Sequence, residues 1–217
     1  IAGVEMSGSP AGAEKRRLDP EAIAPGATFA GFKVIAEAGH GGGGEVWQVS
    51  NPRAGCTLAL KVLGRIEDAS PADLERLREL VDLRESLRHP NLVPIDSLGE
   101  AGGRHFITMD WVEGVPLDEL LEAGLIERRQ GLEVLEKVAR ALEHVHAAGV
   151  VHRDLKPGNI VVGTDAEPRV TDFGLARGDR ARSGDSGVLL GTPCYMAPEQ
   201  IGAGTQEIDG LSDSAVS

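Results

Sequence analysis

Apolar and polar residues alternate in three short runs near the start of the chain. FKVIAEA at 32–38, EVWQVS at 45–50 and TLALKVL at 57–63 each read as a strand that turns one face to a core. The spacing then changes. Ser70 is a good helix N-cap, Pro71 suits the first helical position, and Asp73 completes a capping-box-like S-x-x-D. Leu74, Leu77, Val81 and Leu87 follow at roughly helical intervals and predict a helix over 70–88. Past RHPNLVPI, the run HFITMDWV at 105–112 predicts another strand. The clearest helix covers 132–148, where Leu132, Leu135, Val138, Leu142 and Val145 recur at i, i+3 and i+4 steps and Gly149 supplies the stop. Strands first and helix afterwards predict an α+β chain, a small β-rich lobe followed by an α-rich one. Residues 1–27 have no such period. Rich in Gly, Pro, Ala and charge, they are expected to form a poorly ordered leader, which leaves 28–217 as the folded domain.

Composition narrows the classes. With 41% hydrophobic and 26% charged residues a packed core is expected, and with only 3% aromatic residues Leu and Val must fill it. The formal charge of −12 argues against a nucleic-acid or anionic-membrane surface, since phosphate backbones need a basic face. A bound nucleotide needs only local cations and stays open. Cys56 and Cys194 lack metal-ligand spacing and are expected to be buried or half-buried free thiols of a reducing, cytoplasmic compartment. No apolar run approaches a membrane span, and the N-terminus has no signal pattern. The chain begins with Ile1, so the native start is expected to lie upstream.

Chemistry enters with the glycines. Gly39, Gly41 and Gly44 of GHGGGGEV stand at G-x-G-x-x-G spacing, which lets backbone approach phosphates closely. Alone this is equally a flexible hairpin. A strand-like segment follows it, where a dinucleotide fold would continue as a helix, and the G-K-[ST] ending of a P-loop is absent. Lys61 lies on the next strand between Leu60 and Val62, and by itself reads as a solvent-facing residue. Its company changes that. HRDLKPGN at 152–159, DFG at 172–174 and GTPCYMAPE at 191–199 follow in order. Together with the glycines and LALK they resemble the motif series of protein kinases, in the style of bacterial, eukaryotic-like Ser/Thr kinases.

The resemblance implies a two-lobed kinase fold with an N-lobe over 28–112 and a hinge and partial C-lobe over 113–217. It implies ATP and Mg2+ as cofactors and Ser/Thr side chains of proteins as acceptors. Asp154 would orient the incoming hydroxyl and take its proton, Lys156 would offset charge on the migrating phosphoryl group, and Asn159 and Asp172 would hold magnesium. His152 and Phe173 would be packing groups, with strands of Val and Ile on both sides of the loop. In the adenine pocket Val46 and Ala59 would lie above the ring and Val161 below; Met109 would be the gatekeeper, and the backbones of Asp110 and Val112 would bind the base. Trp111 would pack. Lys156 and Thr192 resemble the Ser/Thr class, and Arg153 resembles kinases whose activation loop is ordered by phosphate, with Ser183 and Ser186 as candidate phosphosites or ordinary loop serines. His144 and His146 are two apart on one helix, so a shared metal is not expected.

The match has two departures. The glutamate that should pair with Lys61 is assigned to Glu79, with Glu75 and Glu85 as alternatives, because the spacing to HPNLV is one residue off. After APEQ the chain runs on through GLSD, with Asp213, and stops, so the domain is expected to be truncated and Leu132 and Leu142 partly exposed. A non-catalytic nucleotide-binding or scaffolding relative is therefore the alternative, and a small-molecule phosphotransferase a third reading that DFG followed by APE disfavours.

Overall fold

The computed structural model describes residues 23–41, 44–65, 71–172 and 195. Strands β1 (Thr28–Phe29), β2 (Phe32–Gly41), β3 (Gly44–Asn51), β4 (Cys56–Arg65), β5 (Ile95–Ala101) and β6 (Arg104–Asp110) form one antiparallel sheet in the order β1-β2-β3-β4-β6-β5. Period-two alternation sorts its side chains. Trp47, Val49, Leu58, Leu60, Val62 and Phe106 gather with Phe29 and Val34 on one face. Ala59, Ile107 and Met109 gather with Val93 and the half-buried Val46 on the other, the face that also carries Lys61.

Helix α1 (Pro71–Asp82) begins at the expected proline, although Ser70 lies outside the described residues. A second sheet pairs β7 (Gly114–Pro116), β8 (Ile160–Gly163) and β9 (Pro168–Val170). Between β7 and β8 come α2 (Leu117–Glu122) and α3 (Arg128–Ala147). Val134, Val138, Ala141, Leu142 and Val145 of α3 join Leu80, Leu87, Leu92, Ile95, Leu117, Val150, Leu155, Ile160 and Val170 in one core. Each buried Val or Leu there contributes about 1.5–3 kcal/mol. This core runs from Leu80 of α1 to Val150, Leu155 and Ile160 around the HRDLKPGN segment, so it ties the two lobes together.

Several elements differ from the expectation. Strand β5 reads IDSLGEA, and only Ile95 and Leu98 mark it as a strand; it is an edge, and Gly99 leaves room for the Phe106 ring. Helix α2 is too short for a period to show. The strand expected to reach 112 ends at Asp110. Helix α3 starts at Arg128 because Glu127 and Gln130 form a reciprocal capping box, with the Glu127 N–H donated to Gln130 Oε1 at 2.9 Å. Of the expected stripe Val138 and Val145 are buried, Leu132 is 60% exposed as expected for it, and Leu135 is 50% exposed. Leu142, expected to be partly exposed, is buried at 8%, with Val134 and Ala141 completing the buried face. No strand precedes the HRDLKPGN segment, where Val150 packs into the core in irregular backbone; only β8 follows it. Cys56 is exposed at the start of β4, not buried, and Cys194 lies outside the described residues. No described helix is long and apolar enough to cross a membrane.

Candidate active site

The run from His152 to Asn159 folds on itself. The Lys156 ammonium donates to Asp154 Oδ2 at 2.9 Å, and Asn159 Nδ2 donates to the Asp154 carbonyl at 2.7 Å and to its Oδ2 at 3.2 Å. Pro157–Asn159 make one 3₁₀ turn, closed by the Asn159 N–H on the Lys156 carbonyl, and this turn carries the amide back over Asp154. Asn159 is buried, so its amide is spent on protein groups at a fixed place.

His152 is the strut beneath. It is completely buried, its Nδ1 accepts the Asp154 N–H at 3.2 Å, and its Nε2 lies 2.9 Å from the Thr171 carbonyl. An acceptor at Nδ1 puts the proton on Nε2, so the ring donates to Thr171. Thr171 in turn donates its N–H to the Asn159 carbonyl at 2.9 Å and its hydroxyl to Met109 Sδ at 3.4 Å. One residue further, Asp172 meets Lys61, Nζ to Oδ2 2.9 Å, both largely buried. Arg153 and Asp172 hold φ of 70° and 64°, left-handed backbone that costs a non-glycine residue about 1–3 kcal/mol and persists where surroundings over-determine it.

The glycine hairpin lies above. Gly39 pairs with Val46 and Gly41 with Gly44, and Val46 stands directly opposite Lys61. Gly44 has a φ of 116°, and a Cβ there would overlap the Val62 carbonyl. Ala59 faces Met109 across β4 and β6, while Val161 of β8 is half-buried opposite Pro116.

The family model described as the protein kinase domain matches residues 32–214. The chain belongs to the protein kinase family. Over 183 residues it is 36% identical to serine/threonine-protein kinase PknA of Mycobacterium tuberculosis, covering 81% of this chain and 42% of that protein. Over 202 residues it is 39% identical to the DNA damage-responsive serine/threonine-protein kinase RqkA of Deinococcus radiodurans, covering 88% of this chain and 29% of that protein. The chain thus spans less than half the length of these curated relatives. The crystal structure of the Mycobacterium tuberculosis PknI kinase domain superposes with a TM-score of 0.72 at 29% identity, covering 90% of this chain and 74% of that one.

Within this kinase fold Lys61, Asp154, Lys156, Asn159 and Asp172 come together through the contacts above. Glu79 does not join them. Leu77 and Leu80 turn inward from α1, and Glu79 lies about 100° round the helix from Leu80, exposed; Glu75 and Glu85 are exposed too. Asp172 takes the place at Lys61 that the sequence assigned to a glutamate. The Asp110 N–H is donated to the Pro94 carbonyl at 3.1 Å, which restricts any contact of Asp110 with a base to its carbonyl. Trp111 packs against the cluster of Ala59, Val93, Ile107 and Met109, as expected. Phe173, Ser183, Ser186, Thr192 and Asp213 lie outside the described residues.

A polar cavity of about 240 Å³ opens beside Asp110, lined by Arg84, Glu85, Arg88 and Asp96 among others. Desolvation of the Asp110 carboxylate at that wall, then the charge of Asp96, raise its pKa above the ordinary value, with Arg88 acting against them. The side chain as a whole is exposed, so this is local crowding and not core burial. Sequence reasoning missed Thr171, which no motif letter marks, and the role of Asn91 in RHPNLVPI, whose partners lie about 77 residues away.

Proposed function

We propose that this chain is a catalytic domain that transfers the γ-phosphoryl group of Mg-ATP to Ser or Thr hydroxyls of proteins. The observation that carries it is the fixed Asp154 carboxylate, bracketed by Lys156 at 2.9 Å and Asn159 at 3.2 Å and joined through Thr171 to the Lys61–Asp172 pair. Phosphoryl transfer needs alignment and charge compensation more than covalent help. Asp154 orients the acceptor hydroxyl and receives its proton; Lys156 offsets charge beside it. Lys61 holds phosphate oxygens, and Gly39, Gly41 and Gly44 let backbone cover them.

Asn159 and Asp172 fit a magnesium ion. They offer hard oxygen donors, few enough that phosphates and water complete the shell. Among the described residues no group of three or more His, Cys, Asp or Glu could hold a metal ion by itself. Magnesium supplies charge neutralisation of the phosphates when bound. Val46, Ala59, Met109 and Val161 form the apolar slot for adenine, with Asp110 and Val112 at its edge. Thr192 is assigned to steady the catalytic loop. With ATP as donor the reaction belongs in the cytoplasm, on protein substrates and not nucleic acid. Glu79 reaches Lys61 only if α1 turns, and that turn would release Asp172 to the metal.

Transfer of labelled phosphate from Mg-ATP to a generic basic protein, with Asp154→Asn alongside, tests the reading. Transfer lost in the variant by at least about 10²-fold supports it. Mg-ATP binding without transfer in the unsubstituted chain would move the reading to a scaffolding relative. A preference for small alcohols over peptides would move it to small-molecule phosphotransfer.

A further inference from the structure

Strand β9, which delivers Asp172, is only three residues long and is gripped on both sides. On one side Ile160, Val161 and Val162 of β8 pair with Val170, Arg169 and Pro168. On the other, the segment after α1 adds a short parallel pairing. Val170 donates to the Asn91 carbonyl at 2.9 Å, Val93 donates to the Val170 carbonyl at 2.9 Å, and Leu92 bridges Val170. The backbone pairing runs out at Pro168, and there a side chain continues it: Asn91 Nδ2 donates to the Pro168 carbonyl at 2.7 Å. Asn91 is 6% exposed and Pro168 fully buried, so no water replaces that donor. The Asn91 N–H is itself fixed on His89 Nδ1 at 3.1 Å. Burial and the neighbouring His144 lower the His89 pKa, which keeps that nitrogen an acceptor.

We propose that Asn91 is a positioning residue for Asp172, acting through β9. The inference rests on the reading of Asp172 as the carboxylate that meets metal and phosphate. Asp172 sits in left-handed backbone, which holds only while its flanks are fixed. Thr171 fixes the near flank through Asn159, His152 and Met109. Asn91 fixes the far flank at Pro168. The neighbouring Lys137–Glu167 ion pair, 2.7 Å, also reaches this turn, and Glu167 Oε2 lies 3.5 Å from Asn91 Nδ2. Both of its side chains are about 40% exposed, so screening leaves it a minor contributor and a suitable control.

The test compares Asn91→Ala, the isosteric Asn91→Asp, which turns an oxygen toward the Pro168 carbonyl, and Asn91→Ser, which keeps a shorter donor, with Lys137→Met as control. Outer-shell changes of this kind typically cost 10–100-fold in metal affinity or activity. The half-saturating Mg2+ concentration for transfer is expected to rise about tenfold in the Ala and Asp variants, with Ser recovering part of the loss, Lys137→Met unchanged within about twofold, and KM for the protein acceptor steady. In the metal-free chain, amide exchange at Val170, Thr171 and Asp172 should quicken about tenfold while β4 and β6 stay as they were. Unchanged Mg2+ dependence and exchange in the Ala and Asp variants would overturn the proposal. So would exchange that quickens evenly through both lobes, since that marks Asn91 as a general packing residue. Absence of metal-dependent transfer in the unsubstituted chain would strike the kinase reading instead, and the exchange measurement would still decide whether Asn91 holds the Asp172 segment.

Discussion

Replacing His152 by Phe probes the centre of the site without opening a cavity. The ring is completely buried and similar in size to Phe, so the packing change is small. What is lost is polar: the acceptor for the Asp154 N–H at 3.2 Å and the donor to the Thr171 carbonyl at 2.9 Å. A buried group left unsatisfied costs about 1–3 kcal/mol, so two together cost about 3 kcal/mol once the backbone relaxes. That is a large share of a domain stability of roughly 5–15 kcal/mol. For a chain of this size about 3 kcal/mol lowers Tm by roughly 6–12 °C. Calorimetry checks the stability, and amide exchange at Asp154 checks the site. Transfer should fall as well, because Asp154 and Thr171 lose their common anchor. A His152→Phe variant within about 1 °C of the unsubstituted chain, with Asp154 exchange unchanged, would refute the strut.

Two further outcomes follow from the geometry. Gly44→Ala should cost more than about 1 kcal/mol and weaken ATP binding, because its Cβ meets backbone at Val62 and its φ is 116°. Gly39→Ala, with open space around its Cβ, should leave the fold intact, and titrating ATP into both variants separates the two. Asp110→Asn should raise Tm at pH 7. The folded pKa of Asp110 is raised, so the ionised form is penalised in the folded state and stability falls as pH climbs from the unfolded value through the folded one. The gain from Asn should therefore shrink as pH drops into the ordinary carboxylate range; a Tm difference independent of pH, or of opposite sign, contradicts the assignment.

The sequence by itself determined what neighbours along the chain can determine. Asp154, Lys156 and Asn159 fall within six residues, so one turn had to bring them together, and their identities announced the chemistry. Alternation placed Lys61 on the face opposite Leu60 and Val62, and the tertiary sheet kept it there. Tertiary structure decided the rest, because the contacts span distant segments. Lys61 and Asp172 are over a hundred residues apart, and which acid meets the lysine depends on how Leu77 and Leu80 seat α1. Helical spacing marked Leu132, Leu135, Val138, Leu142 and Val145 as one stripe of α3; the tertiary core buries the last three with Val134 and Ala141 and leaves Leu132 and Leu135 outside. Strand β5 has too few apolar positions to announce itself, and it forms because β6 offers it an unpaired edge. Asn91 is an ordinary turn asparagine in the sequence and becomes a fastening for β9 only when Pro168 comes to lie beside it.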